Sequence, residues 1–259
     1  MTKFALRNDG IRIAYEVSGE GEPVVLVHGF ASDRVQNWRA PGWYQTLNGA
    51  GYQVIALDCR GHGESDKPHD PKMYGHATMA EDVIAVMQDA GISRALLMGY
   101  SMGGYISMSL LIKHPELFHK VVIAGVGASY LDLNAAEAAV ADPERRSAIA
   151  DALLVDDAST IANGTARNFR LFADQPGKDR LALAACMRGS RDVFTREQLS
   201  QSQRPVLVVC GEKDVLTGPP DPLAAAFACG HAVTVPKRDH MTAVGDKVYK
   251  QAVLDFLAS

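Results

Sequence analysis

The sequence predicts an α/β fold: a mostly parallel, twisted sheet of about eight strands, begun by an antiparallel N-terminal hairpin, with helices on both faces and a small helical cap insertion. Three observations carry this. Short, continuous apolar runs recur along the chain, as strands covered on both faces require. Helical segments separate most of them, which implies parallel crossovers. One long stretch breaks that alternation without offering a strand of its own.

The hairpin comes first. Segments 4–7 and 11–17 flank Asn8-Asp9-Gly10, a turn-forming trio whose glycine can take positive φ. Apolar runs follow at 23–28, 54–57, 95–98, 121–124, 205–210 and 232–235. Between them, segment 78–90 places Met79, Val83, Val86 and Met87 near helical spacing and stops at Gly91. Segments 102–113 and 243–257 read as helices in the same way.

Between Ala124 and Pro205 lie about eighty residues without a clear strand, too long for an irregular loop in a compact domain. Helical patches at 133–140 and 181–187 make a helical insertion the expectation. The domains expected are a core of 1–127 and 201–259 with a cap or lid at 128–200.

Composition narrows the function. The 259 residues carry a formal net charge of −4, with basic and acidic residues alternating and no basic stripe for nucleic acid. Cys59, Cys186, Cys210 and Cys229 fit neither a zinc site nor a disulfide scaffold and read as structural thiols. No metal or other cofactor is expected. Nothing approaches the roughly 20 apolar residues of a membrane span, and the N-terminus lacks a signal-peptide pattern. A cytoplasmic location is the expectation; the oligomeric state is left open.

The sharpest feature is Gly99-Tyr100-Ser101-Met102-Gly103, directly after the 95–98 strand and before the 102–113 helix. So tight a strand-to-helix turn strains its central residue, and glycines on either side remove the side chains that would clash. The Ser101 hydroxyl then projects from the carboxyl end of the sheet, beside a helix N-terminus that favours developing negative charge. Ser101 is the candidate nucleophile.

With that motif, His28-Gly29-Phe30 and the segment Asp58-Cys-Arg-Gly-His-Gly-Glu-Ser65, the chain resembles the α/β-hydrolase family over essentially its whole length. The resemblance implies the chain order serine, acid, histidine. His240 fits as general base: it follows the 232–235 strand, on the edge where Ser101 must lie. Asp214, in Gly211-Glu-Lys-Asp214 after the 205–210 strand, fits as the orienting acid; family members that place it one strand earlier have no counterpart here, because 124–128 lacks a carboxylate. Glu212 is the nearest rival, and Asp239 stands too close to His240 in sequence. Of the other histidines, His28 belongs by resemblance to the oxyanion-hole turn and His62 to a neighbouring loop. His114, His119 and His231 fall at the wrong end of the sheet, and His69 and His76 read as solvent-facing.

Acyl transfer also needs N–H donors for an oxyanion. Met102, after the nucleophile, supplies one, and by resemblance Phe30 supplies the other. Trp38, Trp43 and Tyr44 either wall the pocket or pack against the sheet. Phe169 and Phe172 face the substrate if the insertion folds as a lid. The insertion's arginines, among them Arg145, Arg146, Arg167, Arg170, Arg188 and Arg191, read as a solvated face, with a carboxylate-binding member left open.

The function expected is hydrolysis of a small-molecule carboxylic ester through an acyl-enzyme. Lactonase, thioesterase, carbon–carbon bond hydrolase and perhydrolase readings share the same three residues. Dehalogenase and epoxide hydrolase relatives carry aspartate where Ser101 stands. A ligand-binding receptor on the same fold is the reading from another class.

Overall fold

In the computed structural model, residues 1–132 and 136–259 are described, with side chains described at 1–131 and 144–259. Eight strands, β1 (Lys3–Leu6), β2 (Arg12–Ser18), β3 (Glu22–Val27), β4 (Tyr52–Leu57), β5 (Ala95–Tyr100), β6 (Phe118–Ala124), β7 (Val206–Gly211) and β8 (Gly230–Val235), form one sheet in the order β1-β2-β4-β3-β5-β6-β7-β8. β2 runs antiparallel to β1 and to β4, and every other pairing is parallel.

The helices are α1 (Trp43–Gly49), α2 (His76–Asp89), α3 (Met102–Lys113), α4 (Ser129–Asp132), α5 (Ala136–Leu154), α6 (Gly164–Ala173), α7 (Arg180–Arg188), α8 (Arg196–Ser200), α9 (Asp221–Ala224) and α10 (Lys247–Ala258). Among the described residues, no helix is long and apolar enough to cross a membrane.

The unbroken apolar strands follow from having two buried faces. In β3, Val25 and Val27 enter one core cluster while Val24 and Leu26 enter the other. β7 divides likewise, Val206 and Val208 on one side and Leu207 and Val209 on the other. The first cluster takes Met79, Val83, Val86 and Met87 of α2, the expected stripe, with Ile106 and Leu110 of α3. The second takes Trp43, Tyr44 and Leu47 of α1 with Tyr249 and Val253 of α10. Burying each large aliphatic side chain stabilises by roughly 1.5–3 kcal/mol, so the sheet's interior anchors whatever its loops carry.

The 125–205 segment contributes helices α4–α8 and no strand among its described residues. Ile149 and Leu153 of α5, Ala166 of α6 and Leu183 and Met187 of α7 share a third cluster with Ala31, which lies just past the end of β3. Side-chain caps begin these helices. Asn163 accepts from the Ala166 N–H at 3.0 Å and Asp179 from the Ala182 N–H at 3.1 Å. Of the helix expected at 133–140, residues 133–135 lie outside the described residues, and the remainder falls in α5.

Other expected boundaries shift for local reasons. The last helix starts at Lys247 rather than 243, because Asp246 caps it by accepting from the Val248 N–H at 2.8 Å. β6 begins at Phe118 rather than 121. Its polar start is accommodated as the Lys120 ammonium donates to the Phe256 and Leu257 carbonyls at 2.9 and 3.1 Å.

Candidate active site

Ser101 joins β5 to α3 with φ 53° and ψ −115°. Such a conformation costs a residue with a Cβ about 1–3 kcal/mol and persists only where its surroundings enforce it. Here they do. The Ser101 N–H donates to the Ala124 carbonyl at 2.7 Å. A methyl group on Gly99 would lie 2.1 Å from the Gly103 carbonyl oxygen, and one on Gly103 would lie 2.0 Å from that of Val27. Only glycine lets the start of α3 press so closely on the ends of β3 and β5.

Asp214 follows β7 and His240 follows β8, which brings both to the carboxyl edge where Ser101 stands. Ser101 Oγ and His240 Nε2 are 3.0 Å apart, and His240 Nδ1 lies 2.7 Å from Asp214 Oδ2. The Leu216 and Thr217 N–H groups donate to Asp214 Oδ1 at 3.1 and 3.2 Å. Burial pushes the Asp214 carboxyl up, but the His240 hydrogen bond and charge, aided by Thr217 and Leu216, outweigh it and hold the carboxyl below its ordinary range. An ionised Asp214 only accepts, so Nδ1 carries a proton toward it, and in the neutral form of the ring Nε2 presents its lone pair to Ser101. The Tyr100 hydroxyl donates to the His240 carbonyl at 2.5 Å and fixes the loop's backbone.

The rival carboxylates are committed elsewhere. Glu212 accepts from the Lys237 N–H at 2.6 Å. Asp239 accepts from the Met241 and Thr242 N–H groups at 3.0 and 2.9 Å.

The turn after β3 approaches Ser101 from the other side. A methyl on Gly29 would sit 3.4 Å from Ser101 Cβ. Asn37 accepts from the Gly29 N–H at 3.0 Å. Buried His28 accepts from the Cys59 N–H at Nε2, 2.9 Å, so its Nδ1–H donates to the Gly29 carbonyl at 2.7 Å. Burial lowers the His28 pKa and keeps the ring neutral, as that pattern requires. Asp58 braces the same turn by accepting from the Arg34 N–H at 2.8 Å and from the Arg34 guanidinium. Among the described residues, neither the Phe30 nor the Met102 N–H donates to a protein acceptor, and both residues line the cleft that holds Ser101 and His240.

Phe169 of α6 lines that cleft too, its ring edge-to-face with Phe30 at 5.9 Å. Trp38 and Phe172 do not. Trp38 is fully buried in the second core cluster, edge-to-face with Trp43 at 6.1 Å, because the helical turn Val35–Arg39 directs its indole inward. Phe172 packs against the third cluster beneath the Lys178 ammonium, 3.6 Å from its ring centroid. His76, expected in solvent, is instead buried in the cleft wall, its ring stacked on Tyr105 at 5.4 Å. The bridge between Gly75 and Ser190 turns the start of α2 inward. Burial, with the Arg191 charge next, lowers the His76 pKa to about 3. The sequence reading also missed Tyr105, Cys186 and Thr217 as cleft residues. For Tyr105 a signal existed: it stands three residues beyond Met102 on α3, hence on the same helix face.

The family model for the alpha/beta hydrolase fold matches residues 22–180. The chain is 31% identical over 122 residues to epoxide hydrolase 4 of Mus musculus, an alignment covering 46% of this chain and 32% of that protein. It thus spans about a third of that relative's length. It is 30% identical over 243 residues to 3-oxoadipate enol-lactonase 2 of Acinetobacter baylyi, covering 89% of this chain and 85% of the relative. Among solved structures, a hydrolase from Pseudomonas aeruginosa PA01 superposes with a TM-score of 0.79 at 25% identity, covering 100% of this chain and 98% of the other.

Proposed function

The chain belongs to the alpha/beta-hydrolase fold family, and from that premise we propose that it is a serine hydrolase cleaving carboxylic esters through an acyl-enzyme. The observation that carries the reading is the continuous line from Ser101 Oγ to His240 Nε2 at 3.0 Å and from His240 Nδ1 to Asp214 at 2.7 Å.

In the first half-reaction Ser101 Oγ attacks the ester carbonyl carbon as its proton passes to His240 Nε2. The carbonyl oxygen becomes an oxyanion, which the Met102 and Phe30 N–H groups stabilise. His240 returns the proton to the departing alkoxide, leaving the acyl group on Ser101 and an alcohol free. Water then gives His240 a proton and adds to the acyl carbon. Ser101 leaves with that proton, and the carboxylic acid is released. Asp214 stays ionised throughout, holding the Nδ1–H tautomer and stabilising the imidazolium. The helices of 128–200 form the cap in this reading, over a core of 1–127 and 201–259, with Phe30 and Phe169 against the substrate.

A lactone is the second reading, favoured by the enol-lactonase relative matched over 89% of this chain. The steps are the same, with acid and alcohol left in one molecule.

The test is turnover of p-nitrophenyl acetate and p-nitrophenyl hexanoate by the protein and by Ser101→Ala. Hydrolysis that falls at least about 10³-fold in the variant is expected. Hydrolysis that survives the substitution removes Ser101 from the mechanism.

A further inference from the structure

Residues 100 and 101 are consecutive, and each touches a different end of His240. Ser101 Oγ lies 3.0 Å from the ring at Nε2, while the Tyr100 hydroxyl donates to the His240 main-chain carbonyl at 2.5 Å. Nucleophile and base are therefore joined twice, once through the reacting atoms and once through a contact that takes no part in proton transfer.

The second contact matters because His240 has no regular element of its own. It sits among turns between β8, which ends at Val235, and α10, which starts at Lys247. Tyr100 is placed quite differently. It ends β5, between β3 and β6 in the sheet, and is buried in the second core cluster with Leu96 and Met98. Its ring lies 6.4 Å from that of Tyr249 on α10 and 5.6 Å from the His240 imidazole. Gly125, past the end of β6 with φ 61°, makes room for the pair. A methyl there would lie 3.1 Å from His240 Cε1 and 3.2 Å from Tyr100 Cζ.

Trp43 holds the same segment further along, its indole N–H donating to the Val244 carbonyl at 2.7 Å. Packing alone would be met by a phenylalanine at position 100. What the hydroxyl adds is one hydrogen bond, aimed at the backbone of the base. Burial, with the Asp214 charge next, pushes the Tyr100 pKa up, so the hydroxyl keeps the proton it donates.

We propose that Tyr100 is a positioning residue, whose hydroxyl holds His240 in register with Ser101 and keeps Nε2 within bonding distance of the nucleophile. The inference rests on the serine-hydrolase reading only for its kinetic consequence.

Tyr100→Phe tests it, because the ring stays and the hydroxyl goes. With p-nitrophenyl acetate, kcat is expected to fall about 10–100-fold, as a slight misplacement of a reacting group allows. KM is expected to stay within about twofold. Circular dichroism and urea unfolding accompany the kinetics. A hydroxyl that served stability alone would lower the unfolding midpoint and leave kcat of the folded variant unchanged. A second comparison asks whether Tyr100 acts through the base: in a His240→Ala background, Tyr100→Phe is expected to lower the residual activity no further. An unchanged kcat, an effect on KM alone, an equal loss in the His240→Ala background, or a variant that no longer folds would overturn the inference. A parent protein that hydrolyses no ester sinks the ester reading alone, and crystal structures of parent and Tyr100→Phe then decide this one. A Ser101 Oγ to His240 Nε2 separation that opens beyond about 3.5 Å in the variant upholds it, and an unchanged separation overturns it.

Discussion

His240 Nδ1 lies 2.7 Å from Asp214 Oδ2, although the two side chains leave different strands and 26 positions separate them. The carboxylate is buried and takes two backbone N–H bonds on its other oxygen, so it is held in one orientation. Asp214→Asn would keep the shape and lose the charge that selects the Nδ1–H tautomer. We expect ester turnover to fall roughly 10³–10⁴-fold with the fold intact. Steady-state kinetics beside circular dichroism checks this, and near-normal turnover would count against the role of Asp214.

The Gly103–Val27 contact sets a second expectation. A methyl 2.0 Å from a strand carbonyl oxygen has no rotamer by which to escape. Gly103→Ala should therefore cost about 3 kcal/mol or more and displace the Ser101 turn. Urea unfolding measures it; a loss below about 1 kcal/mol would mean that the helix start yields freely.

Stability also rests on a buried ion pair behind the site. Arg60, fully buried, donates to both Asp82 oxygens at 2.6 Å and links the loop after β4 to α2. Its other carboxylate partner, Asp9, is a third exposed. Removing Asp82 strands a buried cation, and Asp82→Ala should cost about 3–5 kcal/mol. A change within about 1 kcal/mol would show that water or Asp9 takes over the partnership.

Acid should destabilise the protein before its carboxylates titrate. Burial lowers His62 and His76 to about 3 and His28 in the same direction, against 6.5 for an unburied ring. Below pH 6.5 the unfolded chain takes up protons that the folded one refuses, so stability falls with pH. With three such rings the slope can reach about 4 kcal/mol per pH unit. Denaturant titrations from pH 7.5 to 4.5 measure it, and a flat profile down to pH 5 would mean that these histidines charge in the folded state.

The sheet was legible because its strands bury both faces. Runs such as 23–28 and 205–210 are apolar without alternation, and the structure divides each between two core clusters. The Ser101 turn was legible because its strain leaves a local mark, small residues two positions either side of the serine. The cleft wall was not. His76 reads as part of a polar loop until the Gly75–Ser190 bridge turns it inward, and that bridge spans 115 positions. Trp38 could have faced either way on sequence grounds, and one helical turn buries it. Arg145 and Arg191 line one cleft although they lie on either side of α6 and α7 in the sequence, because α5, α6 and α7 share a cluster with Ala31.

The most direct test of the account is where a fluorophosphonate attaches. Such reagents modify a serine whose hydroxyl is activated by a neighbouring base. The account predicts a single adduct, located by peptide mass spectrometry on Ser101, absent from Ser101→Ala and strongly slowed in His240→Ala. An adduct on another residue, or labelling that persists in Ser101→Ala, would contradict it.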